Sequence, residues 1–386
     1  RFPEIRFAGF TDPWEQRKLG ELGSVAMCKR IFKEQTTEQG DVPFYKIGTF
    51  GGTPDAFISR ELFDEYQRLY QFPKVGDILI SAAGTIGRTI VYQGDPAYYQ
   101  DSNIVWLQHD ERLDNGFLLQ FLNGKSWSSL EGSTLKRLYN KDLLNAEIAI
   151  PSPDEQHQIG STFARLDDII TLHQRKYDKL AQLKKSMLDK MFPKPGERFP
   201  EIRFAGFTDP WEQRKFSDLT DRVSIQSNDP NLPQVEYEDI ISGEGALNKD
   251  LNDKEGGKTG IKFYVGDVLY GKLRPYLMNW LYPQFNGVAV GDFWVLRATE
   301  CDSSFLYRLV QTDGFQRLAN VSSGSKMPRA DWNLISQSFF AVPANHAEQK
   351  AIAKSLAELD SLITLHQRKL ELLRNTKKSL LDRMFV

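Results

Sequence analysis

Cysteine is scarce in this chain, which contains only Cys28 and Cys301 among its 386 residues. Two thiols form one bridge at most, which excludes the disulfide framework of a small secreted domain and is typical of a reducing compartment. An uninterrupted apolar run of 18 residues, about the length that a membrane-spanning helix needs, is also missing. We therefore expect a soluble, cytoplasmic protein that does not enter a membrane.

An excess of one charge sign is missing too. The chain has 49 Lys and Arg against 51 Asp and Glu, a formal net charge of −2, so it is not a uniformly basic nucleic-acid coat. Local basic surfaces remain open, because charge of one sign can be concentrated on one face. At this length, two or three domains are expected, each with room for a buried core.

Signatures of catalysis and metal binding are absent from the sequence. No two of its histidines form an HExxH pair, and no GxxxxGK[ST] phosphate-binding loop occurs. Adjacent prolines do not occur either, which excludes the [DNS]PP[YF] motif of amino-methyltransferases. The sequence thus predicts that this chain has no catalytic residue, holds no metal and binds no cofactor.

What the chain does contain is a repeat of whole modules. Residues 1–18, RFPEIRFAGFTDPWEQRK, recur unchanged at 198–215, and LDDIITLHQRK at 166–176 returns as LDSLITLHQRK at 359–369. Aromatic residues cut by proline and glycine predict that the first motif is an extended strap. The second motif lies in a long helical pattern whose apolar period averages 3.5 residues, as in coiled coils, and whose length is roughly 57 Å at 1.5 Å per residue.

Both helical patterns carry the same seam in the same register. The seam histidines are expected to fix that register rather than to bind metal or catalyse a reaction. The predicted seam residues are Ile159, Phe163, Leu166, Ile170, His173, Tyr177, Leu180 and Met187 in the first helix, and Ile352, Leu356, Leu359, Ile363, His366, Leu370, Leu373 and Leu380 in the second.

Each module therefore runs strap, variable region, long helix. Two like seams in one chain most simply bury each other, and we expect antiparallel pairing because a parallel pair would crowd both variable regions at one end. The predicted fold class is α+β, with two globular α/β domains separated by a long antiparallel two-helix coiled coil and related by an approximate internal two-fold. The predicted segments are 1–15 (strap), 16–150 (first variable region), 151–192 (central helix), 193–212 (linker and repeated strap), 213–342 (second variable region) and 343–386 (C-terminal helix).

The loops of the variable regions hold side chains that suit DNA. Arg and Lys can bind guanine edges or phosphate, while Ser, Thr and Tyr can donate to bases or the backbone. Each of these residues could equally be an ordinary solvated surface residue. The candidates are Lys46, Thr49, Ser81, Thr85, Arg88, Ser133, Lys136, Arg137 and Tyr139 in the first region, and Lys258, Lys262, Lys272, Arg274, Tyr276, Ser325, Lys326 and Arg329 in the second.

These motifs together resemble the specificity (S) subunit of a type I restriction–modification system. The resemblance rests on the two straps, the Gly-Asp-[Ile/Val]-Leu strands, the Gly-Ser loops that run into P…EQ…I, and the paired LDxxITLHQRK…KKS[ML]LD[KR]MF helices. It implies that each variable region is a target recognition domain for one half of a bipartite double-stranded DNA site, and that the helices set the spacing. It also implies partners: two modification (M) subunits that hold S-adenosylmethionine and methylate adenine N6, and restriction (R) subunits that use ATP and Mg²⁺.

Two other classes of protein stay open on the sequence alone. A stand-alone nuclease or methyltransferase with divergent motifs would cleave or methylate DNA without partners. A structural adaptor with two protein- or glycan-binding domains would show no sequence-dependent affinity for DNA.

Overall fold

The structure, a computed structural model, describes residues 2–127, 137–251, 256–321 and 327–385. Its contacts divide the chain into two compact units. Unit 1 contains residues 1–173 and 369–386, and unit 2 contains residues 174–368. Each unit thus holds one strap, one variable region and a part of each long helix, so the compact units cut across the linear segments predicted above.

Unit 1 is built around an antiparallel sheet of four strands in the order β2-β8-β5-β6, beside a three-stranded sheet in the order β4-β3-β7. Its strands are β1 (Glu15–Lys18), β2 (Gly23–Ala26), β3 (Val42–Tyr45), β4 (Phe57–Ile58), β5 (Ile78–Ser81), β6 (Thr89–Val91), β7 (Tyr98–Tyr99), β8 (Ile104–His109) and β9 (Glu147–Ile150). Its helices are α1 (Leu19–Leu22), α2 (Arg60–Leu69), α3 (Asn115–Gly124), α4 (Asn140–Leu144), the first part of α5 (Pro153–Lys190) and the last part of α10 (His346–Met384).

Unit 2 repeats the four-stranded sheet in the order β11-β20-β17-β18 and adds a second sheet in the order β12-β16-β19-β13. Its strands are β10 (Glu212–Lys215), β11 (Thr220–Val223), β12 (Gln226–Ser227), β13 (Gln234–Val235), β14 (Ile240–Ile241), β15 (Ala246–Leu247), β16 (Gly260–Phe263), β17 (Val268–Gly271), β18 (Trp280–Leu281), β19 (Gly287–Ala289), β20 (Phe293–Ala298) and β21 (Phe339–Val342). Its helices are the last part of α5, then α6 (Phe216–Leu219), α7 (Ser303–Leu309), α8 (Asp313–Ala319), α9 (Trp332–Gln337) and the first part of α10 (His346–Met384).

The repeated Gly-Asp pair forms the same turn at the start of β5 and of β17. Gly76 and Gly266 adopt φ of 94° and 91°, values that glycine adopts without steric cost. The following aspartate accepts a hydrogen bond from a backbone N–H three residues earlier, at 2.8 Å from Lys74 and 2.8 Å from Tyr264. This turn delivers the chain into the central strand of each sheet, where residues 78–81 and 268–271 are buried.

The strap of unit 1 is fastened to the first turn of α5 by a buried ion pair. Arg6 donates two hydrogen bonds of 2.7 Å to the carboxylate of Glu155, and the indole N–H of Trp14 donates a third at 3.2 Å. Because hydrogen bonds to the carboxylate of Glu155 stabilise the guanidinium, the pKa of Arg6 is raised. The strand β1 that follows pairs antiparallel with β9, Glu15 lying opposite Ile150.

Unit 2 repeats this Arg–Glu–Trp contact, which we call the clamp, with its own strap. Arg203 donates to Glu348 at 2.7 and 2.8 Å, and Trp211 donates to the same carboxylate at 3.1 Å. The pKa of Arg203 is raised for the same reason. The identical sequences of the two straps therefore make the same contact in both units.

The residue after each clamp glutamate ties the long helix to its variable region. Gln156 accepts from the backbone N–H of Asp114 at 2.9 Å and donates to the carbonyl of Pro151 at 3.0 Å. Gln349 makes the matching bonds to Asp302 and Pro343, at 2.6 and 2.7 Å. Strap, helix and variable region thus meet at one Glu-Gln pair in each unit.

The segments of α5 and α10 run in opposite directions within each unit. In unit 2, Lys184 of α5 lies 2.6 Å from Asp360 of α10, and the hydroxyl of Tyr177 of α5 lies 3.4 Å from Gln367 of α10. A step of seven residues back along α5 is therefore matched by a step of seven residues forward along α10. In unit 1, Lys377 lies 2.6 Å from Asp167, and the later residue Met384 joins the apolar cluster that holds Ile159. Charged pairs therefore flank the apolar contacts.

Every predicted seam residue is buried or partly buried. Those with the least exposure are Ile159, Phe163, Ile352, Leu356, Leu359 and Leu370. The remaining seam residues are half-buried, the two histidines among them. Within the described part of the chain, no helix is long and apolar enough to cross a membrane.

Candidate nucleic-acid interface

Three distant segments of unit 2 meet at Lys272, directly after β17. The backbone N–H of Lys272 donates to the carbonyl of Asp292 at 2.9 Å, and its carbonyl accepts from Ala330 at 2.8 Å. The N–H of Arg274 then donates to the carbonyl of Pro328 at 2.7 Å. The candidates Lys272, Arg274 and Arg329 thus lie on one platform.

Asp292 holds the basic side chains of this platform in place. Its carboxylate accepts from Arg329 at 2.9 Å and lies 3.5 Å from the ammonium of Lys272. The hydroxyl of Tyr237 donates to the backbone carbonyl of Asp292 at 2.5 Å and accepts from the N–H of Leu273 at 3.1 Å. Burial raises the pKa of Tyr237, so it remains a protonated donor. One carboxylate against two cations leaves a net positive charge for an anionic ligand.

The platform continues into a tightly wound tip. Residues Pro275–Leu277 form one 3₁₀ turn between two left-handed residues, Arg274 at φ 50°, ψ 62° and Met278 at φ 52°, ψ 45°. Each left-handed residue other than glycine costs roughly 1–2 kcal/mol, so the surrounding bonds have to impose this backbone. Tyr276, a predicted DNA-binding residue, is exposed at the apex.

Unit 1 builds the same platform with different side chains. The N–H of Ala82, directly after β5, donates to the carbonyl of Asn103 at 2.7 Å, and the N–H of Leu138 donates to the carbonyl of Ala82 at 2.8 Å. The same two bonds therefore place Ala82 where unit 2 has Lys272, Asn103 where it has Asp292, and Leu138 where it has Ala330. The two variable regions share a scaffold and differ in what the scaffold presents.

The prediction for Ser81 is wrong, because the structure places its side chain inside the protein. Ser81 is 2% exposed; its hydroxyl donates to the carbonyl of Thr85 and accepts from the N–H of Arg88 at 2.9 Å. Both hydrogen-bonding directions are used to close the loop 81–88, and Gly84 and Gly87 complete it at φ of 64° and 79°. Ser81 shapes this loop and does not reach a ligand.

The other candidates on this loop are exposed and lie close to a neighbouring turn. Arg88 donates to the carbonyl of Gly51 at 3.1 Å, which joins the loop to the turn that contains Lys46 and Thr49. Lys46 pairs with Asp55 at 2.8 Å, while Thr49 accepts from the N–H of Lys46 at 3.1 Å. Thr85 is exposed at the apex. These residues form a polar surface next to the platform.

The remaining candidates are spread more widely. Arg137 donates to the carbonyl of Ser102 at 2.7 Å, beside the platform, and Tyr139 is exposed at the start of α4. Lys258 pairs with Glu236 at 2.7 Å, and Lys262 lies over the ring of Tyr264 at 5.4 Å. Lys262 belongs to β16 in the second sheet of unit 2 and Lys258 lies just before that strand, so neither is part of the platform. The predicted residues that lie outside the described ranges are Ser133, Lys136, Ser325 and Lys326.

Sequence reasoning missed the residues that organise the platform. Asp292 and Asn103 lie far along the chain from the loops that they support, so no local pattern marks them. The signal that could have found Asp292 is its position directly before β20, opposite a lysine. Across the described ranges, no group of three or more His, Cys, Asp or Glu side chains is placed to hold a metal ion.

Comparisons with known proteins agree on one family. Residues 11–182, somewhat under half of the chain, match the model of the type I restriction modification DNA specificity domain. A Haemophilus influenzae protein, provisionally named a type I restriction enzyme specificity subunit, is 53% identical over 153 residues, which cover 39% of this chain and 40% of that protein. The Escherichia coli EcoDI specificity subunit is 24% identical over 306 residues, covering 70% of this chain and 69% of the relative.

A solved structure extends the likeness of fold to the whole chain. The S subunit of a type I restriction–modification system from M. genitalium aligns with 100% of this chain and 99% of its own, with a TM-score of 0.62 and 15% sequence identity. At that identity the match concerns the mixed α/β fold.

Proposed function

We propose that this chain, which belongs to the specificity (S) subunits of type I restriction–modification systems, reads a double-stranded DNA site in two separate halves. Specificity subunits of this family are non-catalytic DNA-recognition components. The observation that carries the proposal is the shared platform: one backbone arrangement, built once in each unit, presents Lys272 and Arg329 in one copy and small residues beside Thr85 and Arg88 in the other. Equal scaffolds with unequal side chains suit the reading of two different sequences.

In this proposal the two long helices set the distance between the half-sites. The opposed helix segments within each unit support an antiparallel coiled coil along the full length, with an approximate two-fold that relates the modules. A helix of 38 residues is roughly 57 Å long, which exceeds the roughly 34 Å of one DNA turn. Inserting one heptad into each helix should therefore lengthen the spacer that the complex accepts, and an unchanged spacer would count against a ruler.

The catalytic partners in this proposal are two modification subunits that carry S-adenosylmethionine and methylate adenine N6. Restriction subunits with ATP and Mg²⁺ would add cleavage, and the specificity chain itself would bind no cofactor. Methylation of a base requires its extrusion from the stack, so the reader has to hold the duplex while a partner acts. The chain would work with cellular DNA in the cytoplasm.

Exposed apolar pairs on the long helices support two copies of one partner. Leu172 and Leu365, at the same place in the repeated LDxxITLHQRK motif, are 51% and 46% exposed, each with a second apolar residue one helical turn earlier at Ile169 or Leu362. Exposed apolar surface of this kind is typical of a protein-binding site. We expect Leu172→Glu and Leu365→Glu each to remove one modification subunit from the complex, measured by mass photometry, whereas Val75→Glu at another exposed site leaves two. Retention of both subunits in the double variant would refute this docking surface.

The proposed function is tested by sequencing N6-methyladenine in cells with and without this gene, in the presence of the modification subunits. We expect one bipartite motif, consisting of two short half-sites at a fixed distance, to be methylated in cells that have the gene and unmethylated in cells that lack it. Gel-shift measurement should then show that the purified complex binds that motif at least about a hundredfold more tightly than a scrambled duplex. An unchanged methylome, or equal affinity for both duplexes, would overturn the proposal.

A further inference from the structure

Three consecutive apolar side chains stand exposed at the tip of the unit 2 platform. Tyr276, Leu277 and Met278 are 53%, 38% and 43% exposed. Single exposed apolar residues are common on soluble proteins, whereas contiguous exposed apolar surface with a polar rim is typical of a binding site. The proposed function assigns DNA contacts to the adjoining cations and to Tyr276, and it gives no role to Leu277 and Met278.

The tip is held out by hydrogen bonds from two other segments. The carbonyl of Met278 accepts from the N–H of Gly243 at 3.0 Å, and the carbonyl of Leu277 accepts from the hydroxyl of Ser242. On its other side, Arg274 is bonded to Pro328 at 2.7 Å. Strained backbone of this kind persists only where its surroundings over-determine it, and it clusters at functional sites. The tip is therefore preorganised in its exposed form.

Cationic side chains border the tip on the platform side. Lys272 and Arg329 share Asp292, and Arg274 forms the first residue of the tip itself. A cationic border around an apolar point matches duplex DNA, in which the phosphates surround stacked bases. Charge complementarity to the phosphates thus favours duplex DNA as the occupant.

We propose that Tyr276, Leu277 and Met278 form a wedge that enters a base step of the half-site bound by unit 2. Apolar side chains inserted in this way partly unstack neighbouring bases and kink the duplex, and a step opened so lets a base leave the stack more easily. The proposal rests on the function proposed above and adds a positioning role to sequence reading.

Unit 1 has no such wedge in the same place. Its loop continues from Ala82 through Ala83, Gly84 and Thr85, residues that are small or polar. The shared platform therefore predicts an asymmetric complex, in which one half-site is distorted by this chain and the other is read without insertion.

The test uses the full chain assembled with its modification subunits and duplexes of the methylated motif. 2-Aminopurine, whose fluorescence rises on unstacking, replaces one base at a time through both half-sites, and anisotropy of a terminal label reports binding in the same samples. We expect fluorescence to rise severalfold at one step in the unit 2 half-site. The double variant Leu277→Ala, Met278→Ala should abolish that rise and weaken binding about tenfold, equivalent to about 1.4 kcal/mol.

The matched control is Val265→Ala, which shortens another exposed apolar side chain of unit 2 and should change neither signal. Because the tip is exposed, the double variant should keep the melting temperature of the wild type, so a loss of signal is not a loss of folding. Tight binding with the same fluorescence rise in the variant would refute the wedge alone. Loss of modification subunits from the variant would also refute it, in favour of a protein contact. Absence of sequence-specific binding by the wild type would instead refute the proposed function.

Discussion

Replacing Glu155 by glutamine tests the clamp that fastens the strap of unit 1. The substitution keeps the size of the side chain and removes its charge. The side chain of Glu155 is 0% exposed and that of Arg6 is 14% exposed. Glutamine can accept one of the two bonds from Arg6, but its amide N–H groups then face the second N–H of the guanidinium. Glu155→Gln therefore leaves a largely buried cation without its counter-charge.

The expected loss of stability is about 3–5 kcal/mol, the range for a buried ion pair from which one partner is removed. A surface pair provides the comparison. Arg60 and Asp64 lie 3.1 Å apart with about half of each side chain exposed, so Asp64→Asn should cost less than about 1 kcal/mol. Removing both charges, in Arg6→Met with Glu155→Gln, should recover part of the loss, because no buried charge is then left unpaired.

The assay is hydrogen exchange under native conditions, followed in peptides of the strap. Because residues 1–18 and 198–215 are identical, the peptides have to extend past Lys18 or Lys215, where the sequences diverge. A loss of 3 kcal/mol corresponds to about a hundredfold faster exchange by local opening. We expect Glu155→Gln to accelerate hydrogen exchange in the first strap and to leave exchange in the second strap unchanged. Glu348→Gln should accelerate exchange in the second strap only. Acceleration no larger than that of Asp64→Asn would refute the clamp.

Three further predictions follow from particular contacts. Burial raises the pKa of Cys28 and of Cys301 to about 12, so neither thiol should react with iodoacetamide at pH 8 until the protein unfolds, as mass spectrometry can check. Asp360→Ala should lower the free energy of unfolding in urea by about 3 kcal/mol, because it leaves Arg308, which is only 5% exposed, without its carboxylate. Asp167→Ala leaves only Lys377 without a partner and should lower it by less than about 1 kcal/mol. Equal losses would contradict this reasoning. Arg329→Gln should weaken binding to the methylated motif by about 1–3 kcal/mol and binding to a scrambled duplex by less, because the proposed function places Arg329 on the surface that reads one half-site; fluorescence anisotropy with both duplexes can measure this.

The long helices and the straps could be predicted because their signals are local and repeated. An apolar period of 3.5 over many turns has one simple structural meaning, and the structure has helices at Pro153–Lys190 and His346–Met384. Proline and glycine in the straps exclude a long helix in the same direct way. The partners of Lys184 and Lys377 could not be named, since the choice of aspartate depends on the pairing direction.

The platform could not be predicted because it joins segments that are distant along the chain. Nothing in the residues around Lys272 indicates that the carbonyl of Asp292 accepts its N–H, since this register is set by the pairing of β17 with β20. Ser81 illustrates the same limit from the other side. A serine in a glycine-rich loop suits both a ligand and the loop itself, and only the fold shows that its hydroxyl is already used.

The sequence indicates only part of what the clamp glutamates do. Glu155 follows two prolines at the start of a predicted helix, where an acidic residue is favoured by the helix dipole. The structure has Glu155 in the first turn of α5, and it adds a contact that the residues around Glu155 do not indicate, because Arg6 binds the same carboxylate. The available signal was the single repeated arginine between apolar residues in each strap.

The most direct test of the central claim is to exchange one variable region and sequence the methylome. Residues 16–150 would be replaced by the variable region of another specificity subunit, with both straps, both helices and residues 213–342 unchanged. We expect N6-methyladenine to appear at a motif with one new half-site, the second half-site and the spacing being those of the wild type. Change in both half-sites, or in neither, would contradict two independent readers in one chain.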